Sequence, residues 1–225
     1  NIANTIVQFP FIGLLAYLVT KIIPGEDEIN KYEALYLDRL LITQAPAIAL
    51  GNAKKELVHL ASYAIQSLEA SYAFFDKGDE KYFDKVEKYE TAVNSIDEEL
   101  TTYLIDISNE SLSVSENEVL ASVLDSVRDL ERIGDLAVAS ANLSQHIHNK
   151  GIEFSETAKA ELGDVYNRTH RIDLDSIRVV VDDDKVLAGQ VILRHEELKK
   201  LEKQLRKIHT KRLNNGECTA QAGIN

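Results

Sequence analysis

The chain lacks methionine and tryptophan and has little cysteine or proline: one cysteine, Cys218, and three prolines in 225 residues. A single cysteine excludes an internal disulfide and indicates a free thiol in a reducing compartment. The scarcity of prolines and glycines favours a mostly helical protein. Because a natural full-length chain starts with methionine, we expect Asn1 to lie inside a longer protein, of which this chain is a fragment.

Basic residues are also few, with 25 Lys and Arg against 37 Asp and Glu, which gives a formal net charge of −12. Nucleic-acid binding needs clustered positive charge, so we expect no nucleic-acid partner. The sequence contains no Gly-rich phosphate loop, nucleophile elbow or Cys/His metal spacing. We therefore predict that the protein is not an enzyme.

The first 23 residues are almost entirely apolar, and no charged residue precedes Lys21. A helix of about 20 apolar residues spans a bilayer, and membrane helices tolerate residues such as Pro10 and Gly13. A signal peptide would need a basic start and a small-residue cleavage site, which are lacking here. A buried core helix is the other alternative. We predict a transmembrane helix over residues 1–23.

An abrupt change to acidic sequence at Pro24–Glu28 marks a boundary, and residues 24–45 are predicted to form a linker with a short helix. Apolar residues then recur at helical spacing in five longer segments. These segments are Pro46 to about Asp76, Glu80 to about Asn109, Ser115–His148, a helix after Ser155 to about Val181, and Lys185 to about Leu213.

The two halves of this helical region resemble each other when they are shifted by 105 residues. Several matches share this register: Lys54, Glu56 and Leu57 with Lys159, Glu161 and Leu162, then Val86 with Val191 and Leu100 with Leu205. We predict a duplication with a three-helix repeat over 46–150 and a second repeat over 151–225. Only two helices of the second repeat are present, so we expect its third helix to lie beyond residue 225.

The helix predicted over Ser115–His148 is the most informative segment. Ser115 and Glu118 have the spacing of a capping box at its start, and Gly151 is placed to end it. Its apolar residues recur at helical spacing and predict one buried stripe.

Two carboxylates on this helix, Glu131 and Asp135, are four residues apart and share one face. Like charges at this spacing repel, so something is expected to compensate them. One interpretation is neutralisation by Arg128 and Arg132, which lie within a turn. The other is a metal ion held by carboxylate oxygens, which hard cations prefer.

The run Asp129–Asp135 (DLERIGD) resembles the signature of PhoU-type domains, and Glu90–Asn94 followed by Asp97 resembles the acidic stretch of the preceding helix in that family. The apolar segment that ends in KIIPG, followed by Leu37–Leu41 (LDRLL), is similar to bacterial sodium/phosphate cotransporters with a C-terminal PhoU-like domain. The resemblance covers essentially the whole chain.

This resemblance implies an all-α fold: PhoU-like tandem three-helix bundles, the second truncated, preceded by the last transmembrane helix of a transporter. It implies sodium-dependent phosphate transport across the bacterial inner membrane, with the helical domain cytoplasmic and regulatory. The transported sodium ion and phosphate would bind upstream of this chain. The implied partners are the membrane, the upstream transporter domain, phosphate-signalling proteins and a second copy in a homo-oligomer.

In PhoU proteins the acidic motifs can hold a divalent cation or an iron cluster. The resemblance carries this role to Glu131, Asp135 and Glu90, with Asp97 as a further candidate. An alternative function is a membrane-tethered PhoU-like scaffold or metal-binding regulator of phosphate uptake that does not itself transport.

Overall fold

The computed structural model describes residues 32–216, and over this range the chain forms six α-helices. They are α1 (Arg39–Gln44), α2 (Pro46–Lys77), α3 (Glu80–Ser108), α4 (Val114–Asn149), α5 (Glu156–Asp182) and α6 (Lys185–Asn214). The predicted all-α class is confirmed for these residues, and the bounds of the five long helices agree closely with the prediction.

The helix ends follow from local chemistry. Pro46 occupies the first turn of α2, where its missing N–H costs nothing. Gly78 ends α2 in a left-handed conformation with φ of 66°, which glycine adopts without steric cost. Asp79 then caps α3 by accepting a hydrogen bond from the Lys81 amide, so the turn between the two helices is only two residues long.

The capping box of α4 differs from the prediction. Ser113, not Ser115, is the cap, and its hydroxyl accepts from the Glu116 amide while the Glu116 carboxylate accepts from the Ser113 amide. The predicted pair of Ser115 and Glu118 is therefore wrong by two residues. The sequence SVSENE contains two overlapping Ser-x-x-Glu patterns, and the chain uses the first because α4 begins at Val114.

Helices α2, α3 and α4 form a three-helix bundle with a continuous apolar core. Each helix contributes fully buried side chains at helical spacing, so the core runs along most of the bundle. These include Leu57 and Leu60 of α2, Ile96, Leu100 and Leu104 of α3, and Val123 and Val127 of α4.

Helices α5 and α6 form an antiparallel hairpin that buries much less. Asp175 is its only fully buried residue, whereas Leu193 remains 66% exposed. An open groove of about 740 Å³ lies beside the hairpin, with Phe154 and Leu205 among its lining residues. The predicted second repeat over residues 151–225 stays a prediction. The predicted third helix falls outside the described residues.

Two ion pairs connect α5 and α6 where apolar contacts are few. Arg194 donates to Asp175, and Arg212 donates to both oxygens of Glu161 in a bidentate pair. Charge-assisted bonds of this kind are stronger than neutral ones and fix the register of the two helices.

No helix between residues 32 and 216 has the length and apolar character needed to cross a bilayer. The predicted transmembrane helix over residues 1–23 and the first part of the predicted linker over 24–45 lie outside the described residues. Both stay predictions.

Candidate functional site

The predicted acidic residues meet where α3 and α4 pack against each other. Glu90 lies on α3, and Glu131 and Asp135 lie one turn apart on α4. Asp135 interacts directly with both glutamates, since its carboxylate is close enough to raise the pKa of each. The structure therefore brings three of the four predicted residues together across two helices.

The close approach of the two helices depends on Gly134, which is buried in α4. A Cβ atom at this position would lie 3.1 Å from Glu90 Oε2 and 3.3 Å from Val93 Cγ1. Both distances are shorter than ordinary van der Waals contact, so a larger residue would push the α3 side chains away. Sequence reasoning missed this role. The signal was a glycine in mid-helix, which costs about 1 kcal/mol relative to alanine and so points to a packing requirement.

The carboxylates lie in an environment that disfavours their charged forms. Burial is the main cause that raises the pKa of Glu90, and the negative charge of Asp135 raises it further, although a hydrogen bond from Asn94 opposes the shift. Burial also raises the pKa of Glu131, followed by the charges of Asp135, Asp97 and Glu90. Glu90 Oε2 is buried and has no hydrogen-bond partner.

The interpretation that arginines neutralise this face is not what the structure shows. Arg128 and Arg132 are exposed, and neither makes an ion pair with a residue between 32 and 216. No positive charge contributes to the pKa of Glu131 either. The face thus concentrates negative charge that these two arginines do not neutralise.

Asp97 joins this face only at a distance. It follows Glu90 by seven residues, which is about 10.5 Å along a helix axis. Burial raises its pKa, and a hydrogen bond with Thr101 opposes that shift. Among the described residues, no three Asp, Glu, His or Cys side chains are arranged to hold one metal ion together. The predicted metal role of Asp97, Glu90, Glu131 and Asp135 stays a prediction.

A carboxylate that sequence reasoning did not single out is completely buried in α2. Glu56 Oε2 accepts hydrogen bonds from the amides of Leu35 at 2.8 Å and Tyr36 at 2.7 Å, and Glu56 Oε1 lies 2.7 Å from His59 Nδ1. A glutamate within the apolar stripe of a helix was the available signal. Glu56 anchors the segment that precedes α1, which belongs to the predicted linker.

A second hydrogen bond anchors the same segment. The Tyr103 hydroxyl of α3 donates to the backbone carbonyl of Asp38 at 3.0 Å. Two helices of the bundle therefore hold the chain just before α1, so this segment is rigidly connected to the core that carries the acidic face.

Comparison with known protein families finds a match within the three-helix bundle. The family described as PhoU domain matches residues 57–143, which extend from α2 to α4 and include Glu90, Glu131 and Asp135. The resemblance of the acidic motifs to PhoU-type domains is thus supported for this part of the chain.

A similar protein also carries the name PhoU. The chain is 29% identical over 105 residues to the phosphate-specific transport system accessory protein PhoU homolog 1 of Thermotoga maritima. The alignment covers 47% of this chain and 44% of the relative, so it spans less than half of that protein. No solved structure matches the chain.

Proposed function

We propose that this helical region regulates phosphate transport in the manner of a PhoU accessory domain. The observation that carries the proposal is the coincidence of the PhoU match with a helical bundle that joins a buried core to an acidic face. A regulator of this kind acts by binding its effector more tightly in one state of the transport system than in another.

We further propose that the acidic face of α3 and α4 binds a divalent cation. All candidate ligands are carboxylate oxygens, which suit hard cations, and Mg²⁺ is often held by one or two carboxylates while it keeps several waters. A pair such as Glu131 and Asp135 meets that requirement without a third protein ligand. Glu90 Oε2, which is buried without a partner, is available to interact with the bound cation or its waters.

A bound cation would supply positive charge between two helices, and the protein would respond through its own side chains. Neutralised carboxylates no longer repel each other, which strengthens the packing of α3 on α4 around Gly134. The anchor at Glu56 would carry a shift of α2 to the segment before α1. This gives the regulatory domain a physical connection to the chain that precedes it.

The finer proposal is that the regulated activity is sodium-coupled phosphate transport by a membrane domain of the same protein, in the bacterial inner membrane. The resemblance of residues 21–25 and 37–41 to such cotransporters supports it. The competing proposal is a membrane-tethered scaffold that binds phosphate-signalling proteins. The complete gene discriminates between them: several further apolar spans with paired serine-rich repeats favour the transporter, and a single anchor favours the scaffold.

The regulatory proposal is tested by phosphate uptake in cells that express the full-length protein, with and without the residues after Gly25. We expect both proteins to be present in the membrane at equal levels and uptake without the domain to lose its response to phosphate supply. Equal uptake with an equal response to phosphate would contradict regulation by this domain.

The cation proposal needs a separate measurement on the purified protein. Elemental analysis and thermal unfolding with Mg²⁺ or Mn²⁺ would be compared between the unmutated protein and the double variant Glu131→Ala/Asp135→Ala. A ligand that binds only the folded state raises the unfolding temperature. Glu118→Ala is the matched control, since Glu118 is an exposed carboxylate on the same helix. Absence of both metal and stabilisation in the unmutated protein would exclude the site.

A further inference from the structure

The α5–α6 hairpin meets the three-helix bundle along one face of α5. The Tyr166 ring stacks on Tyr72 of α2, with 3.9 Å between centroids and 4° between planes. One turn later, His170 Nε2 lies 2.7 Å from Glu69 Oε1 of α2. Asp173 follows on the same face, because residues four and seven positions apart share one side of a helix. We call these three α5 residues the docking seam.

Asp173 lies beside a cavity of about 250 Å³ between α2, α4 and α5. Most of the cavity wall is apolar, with Leu57 and Ala61 from α2 and Leu130 and Ile133 from α4. Burial raises the pKa of Asp173 to about 6, although the positive charge of His170 opposes the shift. A carboxyl group in such a place is more stable protonated than ionised.

No basic side chain lines this cavity. The charged group that α4 contributes to the cavity wall is Asp129. From α2 the titratable neighbour is Glu69, which pairs with His170, and from α5 it is His170 itself. Within residues 32–216, Asp173 makes no ion pair with a lysine or arginine.

We propose that protonation along the docking seam controls whether the α5–α6 hairpin is closed on the three-helix bundle. The hairpin docks when Asp173 is neutral, with His170 in contact with Glu69 on the same face. Docking weakens as the pH rises, because Asp173 then ionises beside apolar side chains. The regulatory region thereby contains a proton-sensitive element that is independent of any cation on α3 and α4.

The direction and size of the effect follow from linkage. A carboxyl group whose pKa is raised by docking favours the docked state fully below its ordinary pKa of 3.8, and this contribution is lost as the pH rises through about 6. Asp173 alone should reduce the docking equilibrium constant about tenfold between pH 5 and pH 7.5.

Amide hydrogen exchange of the full chain tests the proposal. The variant Asp173→Asn cannot ionise, so at pH 7.5 its α5 amides should exchange about a hundredfold more slowly than those of the unmutated protein. The amides of α3 should be unchanged. Asp182→Asn is the matched control, since Asp182 is exposed at the end of the same helix and loses the same charge.

A second variant covers the case in which asparagine disturbs the fold. His170→Gln keeps a hydrogen-bond donor for Glu69 and leaves Asp173 in place, so the dependence of α5 exchange on pH should remain after correction for intrinsic rates. Equal α5 exchange in Asp173→Asn and the unmutated protein at pH 7.5 would overturn the proposal. Equal corrected exchange in the unmutated protein at pH 5 and pH 7.5 would overturn it as well.

Discussion

Replacing Glu56 by alanine should detach the segment before α1 from the bundle. The carboxylate is fully buried and engages two backbone amides, those of Leu35 and Tyr36, together with His59. Hydrogen bonds to a charged group contribute about 1.5–3 kcal/mol each, and removing one partner leaves the others unsatisfied. Because the freed amides regain water, we expect a total loss of about 3–5 kcal/mol in the free energy of unfolding.

The variant Glu56→Gln removes the negative charge of the side chain and keeps its size and shape. Its amide oxygen still accepts hydrogen bonds from the Leu35 and Tyr36 amides, and its NH₂ group faces His59. The expected loss is therefore smaller, about 1–2 kcal/mol. The exposed Glu98→Ala on α3 serves as the control and should change stability by less than about 0.5 kcal/mol.

Urea unfolding followed by far-UV circular dichroism measures the global effect, and amide hydrogen exchange measures the local one. In Glu56→Ala the amides of Leu35 and Tyr36 should lose their protection first, before those of the core helices. If these two amides stay protected, or if the free energy of unfolding falls by less than about 1 kcal/mol, Glu56 does not anchor the segment before α1.

Further predictions concern the two halves of the described region. Gly134→Ala should lower cation affinity by displacing the Glu90 and Val93 side chains of α3, whereas Gly51→Ala, which meets nothing within 4 Å, should gain about 0.5–1 kcal/mol in urea unfolding. Glu131→Gln should stabilise the metal-free protein at pH 7 but not at pH 4, because the raised pKa of this group means that its ionised form opposes folding. Asp175→Ala should cost about 1–2 kcal/mol by removing the pair with the partly exposed Arg194, and Asp175→Ala/Arg194→Tyr should recover part of it in a double-mutant cycle.

The helix ends were predictable from sequence because single residues determine them. Pro46, Gly78 and Gly151 act through backbone conformation, and Asp79 acts through one hydrogen bond to its own helix. The cap of α4 was not predictable in the same way. Both Ser113 and Ser115 satisfy the local pattern, so the pattern alone does not select between them.

The acidic face was predictable in part. The spacing of Glu131 and Asp135 placed them on one face, and the family resemblance added Glu90 from another helix. The absence of arginine partners and the tight contact at Gly134 depend on how α3 and α4 cross, which periodicity alone does not give. Asp173 was not predicted as a candidate residue from the sequence, because its burial arises only when α5 lies against α2 and α4.

The predicted duplication, which stays a prediction, pairs residues of different character in its two halves. At the shift of 105 residues, Asp175 and Arg194 correspond to Ala70 and Tyr89 of the first repeat. Ala70 is buried in an apolar cluster against which Tyr89 packs, whereas Asp175 and Arg194 form an ion pair. An ion pair of this kind is often no more stabilising than apolar packing, so the two positions need not differ in their contribution to stability.

The uneven distribution of buried side chains has a consequence for how the chain opens. A region that unfolds as one cooperative unit needs apolar burial throughout, and here it is concentrated in α2, α3 and α4. The α5–α6 hairpin should therefore be a separate foldon, opening many times for each global unfolding event. A protease at low concentration should cut first within or just before α5, leaving a folded remnant that ends near Gly151. Parts of a protein that respond to signals are drawn from such low-stability units.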